Sequence, residues 1–275
     1  VGSLQWLSNQ TRPDIATITN LIAQYNKAQK GHIDAAKYVV RYLKKNPYLG
    51  IKFSSKTNSA LESFVQFPVN PSKLRGMTDA NWGPQDQTVP TPDDPEVLLD
   101  LFKSRSIAGY LIWLGGPVDW SAKRQSFTAR SSAHAEIGSV DDCTKGIQHI
   151  TNILQDLQLL HHYTSGPIPI HNDNNATVLW SRNMTTKGLR YIQMRENAVR
   201  EQVQSGLITV KHIGGKINPT DIMTKEERDP THFTNCVNSI CATPPHHCSA
   251  RRGVLDIQTS VRLHLSPSRK HRPLQ

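Results

Sequence analysis

Four cysteines in 275 residues are too few and too scattered for a disulfide framework. Cys143 falls within a helical pattern, while Cys236, Cys241 and Cys248 gather late in the chain, so a reducing compartment fits the thiols best. The late group, joined by His246 and His247, has the spacing Cys-x4-Cys-x4-His-His-Cys, which matches no common zinc finger or knuckle, and a disordered tail is the competing reading. Long apolar runs are also missing. No stretch approaches the ~20 residues that a membrane-spanning helix needs. The opening Val1-Gly2-Ser3-Leu4-Gln5-Trp6 has neither the charged start nor the apolar centre of a signal peptide. With no initiator methionine, the chain reads as a piece of something longer. The expectation is a soluble, non-secreted chain with no membrane partner.

Acids are outnumbered by bases, 22 to 32, for a formal charge of +10, which suits a polyanionic partner because phosphate neutralisation dominates nucleic-acid affinity. The distribution weakens that inference. Residues 242–275 hold six of the bases (Arg251, Arg252, Arg262, Arg269, Lys270, Arg272) and one acid, Asp256. This Pro- and His-rich segment reads as a tail that stays unfolded whatever the function. A hydrophobic content of 37% is ordinary for a globular chain and allows one substantial core with appendages.

Four segments follow from pattern. Residues 1–56 look helical: from His32 to Lys45, the residues Ile33, Ala36, Val40 and Leu43 recur at amphipathic spacing between Gly31 and Asn46-Pro47. Lys37, Arg41, Lys44 and Lys45 decorate the rest of that helix, as a solvated face or a phosphate-tracking surface. Residues 57–70 read as a linker. The segment 71–228 opens with a short strand, Leu74 to Thr78, and a Pro- and Asp-rich insertion from Gly83 to about Asp100. A hairpin follows, Ile107 to Leu114 and Val118 to Lys123 through Gly115-Gly116. A helix capped by Ser131 or Ser132 carries Ile137, Val140, Ile147, Ile150, Leu154 and Leu157 on one stripe. A strand through Ile168 and Ile170, helices at 174–182 and 191–204, a strand Leu207 to Ile213 and a last helix opened by Pro219 complete it. The order strand, hairpin, helix, strand, helices, strand, helix predicts an α/β fold with helices packed on a mixed sheet. Residues 229–275 are expected to be a disordered basic tail.

Four acids sit where these predicted elements begin or end: Asp79 after the first strand, Glu136 in the first turn of the long helix, Asp173 after the strand at 168–170, and Asp221 in the last helix. If folding gathers them, they make a negative pocket that holds two Mg²⁺ ions and cleaves a phosphodiester. Hard Mg²⁺ prefers oxygen ligands, and clustered carboxylates repel one another until cations neutralise them.

The motifs around these acids resemble a known family, the ribonuclease H domain that closes the polymerase polyprotein of copia-type LTR retrotransposons. The matching stretches are Asp79-Ala80-Asn81-Trp82, Ser104-Arg105-Ser106-Ile107-Ala108-Gly109-Tyr110, Trp120-Ser121-Ala122-Lys123-Arg124-Gln125, Ser131-Ser132-x2-Ala135-Glu136, Asp173-Asn174-Asn175-Ala176, Arg195-x4-Arg200-Glu201 and Asp221-Ile222-x-Thr224-Lys225. Arg12-Pro13-Asp14-Ile15 and His32-x2-Ala35-Ala36-Lys37-x3-Arg41-Tyr42-Leu43-Lys44 resemble the end of the reverse transcriptase and its connection. The resemblance implies a ribonuclease H-like five-stranded mixed sheet flanked by helices behind a small helical connection segment. It also implies metal-binding acids at Asp79, Glu136, Asp173 and Asp221, two Mg²⁺ ions with Mn²⁺ as a substitute, and hydrolysis of the RNA strand of RNA/DNA hybrids. The partners it implies are the hybrid and an upstream reverse transcriptase domain of the same polyprotein, in a cytoplasmic retroelement particle with a nuclear phase. This chain has Asn81 and His134 where the family often has further acids.

Other readings compete. A catalytically silent connection module that holds primer and template would use the basic helix at 32–45, and a decayed retroelement fragment would do nothing. Val140-Asp141-Asp142 mimics a polymerase acid pair but lies in a helical stripe, where a polymerase needs a hairpin tip. His212 reads as a structural residue on an alternating strand, or as a histidine that aids product release. Trp82, Trp113 and Trp120 read as core residues, with base stacking as the alternative.

Overall fold

The computed structural model describes residues 1–24, 30–55, 59–83, 105–182, 194–225 and 229–242. Three helices come first: α1 (Gly2–Gln10), α2 (Ala16–Ala23), entered through a 3-10 turn at Pro13–Ile15, and α3 (Lys30–Lys45). After α4 (Ser59–Val65) come β1 (Arg75–Asn81), β2 (Ile107–Trp113) and β3 (Pro117–Arg124). The rest runs α5 (Ser132–Asp156), α6 (Leu160–Tyr163), β4 (Ile168–Asn172), α7 (Asn175–Arg182), α8 (Met194–Gln204), β5 (Ile208–His212), α9 (Asp221–Thr224) and α10 (Pro230–Ile240).

The five strands form one sheet in the order β3-β2-β1-β4-β5. The pairs β1–β2 and β2–β3 are antiparallel; β1–β4 and β4–β5 are parallel. Gly115 in the β2–β3 turn has φ +68, a conformation that glycine adopts without the steric cost a Cβ imposes. Because successive strand residues point to opposite faces, the sheet has two cores. Ile112, Ile170, Ile208 and Val210 pack under Ile137, Val140, Cys143 and Ile147 of α5, with Val178 of α7 and Val199 of α8. Met77, Leu111, Trp113 and Ala122 pack on the other face against Leu61 and Val65 of α4, Ile222 and Met223 of α9, and Phe233, Val237 and Ile240 of α10.

Three expectations are corrected here. The segment 57–70 is not a free linker: Leu61, Val65 and Val69 are fully buried in the second core. Residues from 229 do not all belong to a disordered tail. Asp229 caps α10 by accepting from the Thr231 N–H at 2.8 Å, Pro230 sits at the first helical position, and Phe233, Cys236, Val237 and Ile240 close the open face of the sheet. Ala242 then pairs with Gly50 in an antiparallel bridge. The unfilled apolar face of the sheet, rather than local composition, orders this helix. Cys236 and Cys241 are buried core thiols, while His246, His247 and Cys248 lie outside the described residues.

The third correction concerns α3. His32, Ala35, Val39 and Tyr42 face inward, against Ile15, Ile18 and Ile22, whereas Ile33 and Val40 are 47% and 54% exposed. The buried stripe is turned by one residue, roughly 100° around the axis, from the one that apolar spacing selects. The cause is a buried ion pair: Arg12 donates to both carboxylate oxygens of Asp14, at 2.9 and 2.8 Å, donates to the Asn46 carbonyl, and lies 5.6 Å over the Tyr42 ring. Holding Tyr42 against that guanidinium sets the rotation of the helix. Residues 1–56 are joined to the sheet domain as well, since Trp120 Nε1 donates to the Ser8 carbonyl and Thr17 Oγ1 to that of Ile222.

Candidate active site

The site forms toward the ends of β1 and β4; Asp79 lies within β1 (Arg75–Asn81), paired with Gly109, and not after the strand as its pattern predicts. In the parallel register Thr78 lies beside Asn172, so Asp79 and Asp173, one step further along, are neighbours across the strand spacing of ~4.8 Å. Asp79 shares the face of Met77, toward α9, and Asp173 leaves the end of β4. Asp221 opens α9, and the loop before it is tied to β1: Asn218 Nδ2 donates to the Thr78 carbonyl at 2.8 Å, and Thr220 donates its N–H and its hydroxyl to Asn218 Oδ1. As a result, one carboxylate oxygen from each of Asp79, Asp173 and Asp221 lies within 4.8 Å of the others. Their sequence positions span well over a hundred residues, so only tertiary packing assembles them.

Glu136 stands beside this trio rather than inside it. It belongs to the second turn of α5, not the first: the helix begins at Ser132, and Ser131 caps it by accepting from the His134 N–H at 3.2 Å. The side chain reaches the site from the opposite face of the sheet. Asn172 Nδ2 donates to Glu136 Oε2 at 2.8 Å and to Thr78 Oγ1 at 3.0 Å, and the Ala80 backbone N–H also bonds the carboxylate. Asn172, the last residue of β4, therefore fixes Glu136 from the sheet, a role that its place beside Asp173 in the sequence does not mark.

Burial and the nearness of like charges raise the pKa values of Glu136, Asp173 and Asp221. Burial pushes Glu136 well above the usual carboxylate range, helped by the charges of Asp79 and Asp173, against the opposing bonds from Asn172 and Ala80. Asp173 is raised by burial and by Asp79. Asp221 is pushed up to about 6 by burial and by Asp79, with Lys225 pulling the other way. Such mutual repulsion in a set of hard oxygen donors is the condition that a divalent cation relieves. The donors fit Mg²⁺ or Mn²⁺; three of the acids could bind directly, with Glu136 at their flank.

Three further side chains act on the trio. Lys225 Nζ lies 3.2 Å from Asp79 Oδ1 and 2.8 Å from Asp221 Oδ1. Burial alone would lower its pKa, but the two carboxylates raise it, so it is charged. Thr224 donates its hydroxyl to Asp79 Oδ2, and His232 of α10 pairs with Asp221 Oδ2 at 3.1 Å. In the sequence Thr224 and Lys225 stand only as letters of the Asp221 motif. The i, i+4 spacing of Asp221 and Lys225 was the available signal. His232, eleven residues on, carried none.

The remaining candidates separate clearly. Trp113 is buried and Trp120 half-buried, but Trp82 is half exposed, with its indole N–H donating to the Ala129 carbonyl at 3.0 Å. His212 is exposed at the end of β5, its Nε2 3.2 Å from the Asp173 carbonyl, so it lies on the rim of the site. Asp141 and Asp142 lie within α5 and pair with Lys145. The 83–100 insertion lies, beyond Gly83, outside the described residues, as does Ser104 of the motif stretches.

A five-stranded mixed sheet flanked by helices, with acids at the ends of β1 and β4, defines a ribonuclease H-like α/β fold. The chain is a relative of one stretch of the retrovirus-related Pol polyproteins of copia-like transposons. It is 31% identical over 250 residues to the polyprotein from transposon RE1 of Arabidopsis thaliana, covering 89% of this chain. It is 33% identical over 231 residues, 82% of the chain, to that from transposon RE2 of the same plant. It spans 15% and 14% of the lengths of these two polyproteins. A ribonuclease H1 isolated from compost by a metagenomic approach is similar in shape at a TM-score of 0.37 and 11% identity, over 56% of this chain and 93% of its own. No protein-family model matches the sequence.

Proposed function

We propose that the chain is the ribonuclease H portion of a retrotransposon polymerase, a metal-dependent endonuclease that hydrolyses the RNA strand of RNA/DNA hybrids. The observation that carries the proposal is the convergence of Asp79, Asp173 and Asp221 within 4.8 Å, from elements remote in the chain, with Glu136 beside them. In this reading Asp79, Asp173, Asp221 and Glu136 hold two Mg²⁺ ions, for which Mn²⁺ substitutes. The metal pair, when bound, supplies an activated water and charge neutralisation at the departing 3′ oxygen. Asn172 keeps Glu136 turned into the site, and Asn218 keeps the Asp221 loop against β1. In this reading His212, on the rim with its Nε2 3.2 Å from the Asp173 carbonyl, is the histidine that aids product release. RNA is distinguished by its 2′-hydroxyls across a wide minor groove.

Purified protein incubated with Mg²⁺ and an end-labelled hybrid is expected to leave fragments with 5′-phosphate and 3′-hydroxyl ends. Intact hybrid under those conditions, with Asp79→Asn giving the same blank lane, defeats the proposal. The exposed Lys37, Arg41, Lys44 and Lys45 of α3 favour a second reading, a silent connection module; tight hybrid binding with no metal-dependent cutting is its signature. A decayed fragment would neither bind nor cut. The similarity to Pol polyproteins further suggests an upstream reverse transcriptase partner and a particle-borne, cytoplasmic setting with a nuclear phase. Fractionation of cells expressing a full polyprotein tests this, since activity away from particles counts against it. No helix among the described residues is long and apolar enough to cross a membrane.

A further inference from the structure

The ammonium of Lys225 occupies the interior of the acid cluster. Of the four oxygens on Asp79 and Asp221, Asp79 Oδ2 accepts from Thr224 and Asp221 Oδ2 pairs with His232, while Oδ1 of both turns to Lys225 Nζ, at 3.2 and 2.8 Å. The oxygens not already held from behind are therefore the ones the lysine takes. A magnesium ion that used them would sit about 2.1 Å from each, which leaves no room for a second cation on the same lone pairs. Lysine is suited to yield: its charge is compact, strongly hydrated and carried on a flexible four-carbon stem. This side chain is 37% exposed, so it has an outlet to water. The backbone at Lys225 is already extended, one step beyond the end of α9, and does not confine the side chain to the helix surface.

We propose that Lys225 is a tethered stand-in cation: it holds Asp79 and Asp221 together in the metal-free protein, and a divalent metal must displace it to bind. The inference rests on the metal-binding reading above and deepens it. Lys225 is then a positioning residue with two opposed effects. It keeps the site preassembled when no metal is present, and it lowers metal affinity by competing for the same oxygens. A lysine that only braced the fold would have the first effect without the second. The competition also raises the metal concentration needed to fill the site, since only the fraction of molecules with Lys225 displaced can bind.

The test is Mn²⁺ and Mg²⁺ binding by calorimetry, with thermal unfolding in chelator, on the full chain and on Lys225→Met and Lys225→Arg. Lys225→Met is expected to bind metal about tenfold more tightly than the unaltered chain, the effect of removing a partly exposed ion-paired competitor, and to melt at a lower temperature in chelator. Lys225→Arg, which keeps the charge, should retain the weaker affinity. A Lys225→Met protein that melts lower yet binds metal no more tightly overturns the proposal and leaves the nuclease reading in place. If neither the unaltered chain nor either variant binds metal, the nuclease reading fails and takes this one with it. Should Lys225→Met not fold, the ¹³Cε resonance of Lys225 in lysine-labelled unaltered protein decides: it is expected to shift as metal saturates the site, and an unmoved signal at saturation refutes displacement.

Discussion

Asp79 is the residue where the sheet, α9 and the cation meet. One of its oxygens accepts from Thr224, the other from Lys225, and its charge raises the pKa of Glu136, Asp173 and Asp221 in turn. Asp79→Asn keeps the shape but removes that charge; metal-dependent cleavage is expected to fall more than ~100-fold, read as initial rate on a labelled hybrid, because a direct ligand should cost more than the groups that orient it. Asn172→Ala tests the orienting layer. It frees Glu136 Oε2 from its 2.8 Å donor in a fully buried position, so metal affinity should drop by ~10-fold or more, and stability by ~1–3 kcal/mol on denaturant melts. At this scale the four acids were legible because each lies in a short motif. Asn172 was not, since an asparagine next to an acid has no periodicity or charge to mark it, and its importance comes from facing the other side of the sheet.

Among the elements, α9 has the tightest seat. A Cβ built on Gly109 of β2 would lie 2.5 Å from Met223 Cβ and 2.8 Å from Thr224 Cγ2, so this strand is made to let α9 lie flat against it. Gly109→Ala must push α9 away, carrying Asp221, Thr224 and Lys225 with it. The expected outcome is a lower melting temperature together with weaker metal binding by calorimetry; unchanged binding would show that the seat does not position Asp221. Helix α10 is the second case. Ending the chain before Asp229 strips Phe233, Val237 and Ile240 from the core, at ~2–5 kcal/mol for each large side chain lost. Such a truncated chain should lose cooperative unfolding by circular dichroism, whereas a dispensable tail would leave the transition intact. The hairpin was visible in the sequence through Gly115-Gly116 between strand-like runs, β5 through alternation, and α5 through a long apolar stripe. The rotation of α3 and the existence of α10 were not, because the first depends on Arg12 reaching Tyr42 and the second on a face left open by strands far away.

For the whole molecule, the acid cluster links stability to pH and to metal in opposite senses. Folded Asp221 titrates at about 6, and Glu136 and Asp173 are also raised, while unfolded carboxylates titrate near ~4. The folded state therefore holds more protons across that interval. The stability these groups contribute is full below ~4 and is lost as pH rises through about 6. In chelator, the melting temperature should fall across that window relative to an Asp221→Asn variant, which lacks the group that titrates there. Added Mg²⁺ requires ionised ligands and should stabilise more near pH ~8 than near pH ~5. A metal effect that does not grow with pH contradicts the proposed ligand set. Taken alone, the sequence determined which residue types were available: carboxylates in recognisable motifs, short strand-like runs of which Leu207 to Ile213 alternates, a hairpin through Gly115-Gly116, and a resemblance covering most of the chain. Only the tertiary structure decided that Asp79 and Asp173 are neighbours, that Glu136 approaches from the opposite face, and that Lys225 stands among the acids. Local pattern records how a segment turns its side chains, but the distance between two charges depends on strand register and on what packs against the sheet, and those belong to no single segment.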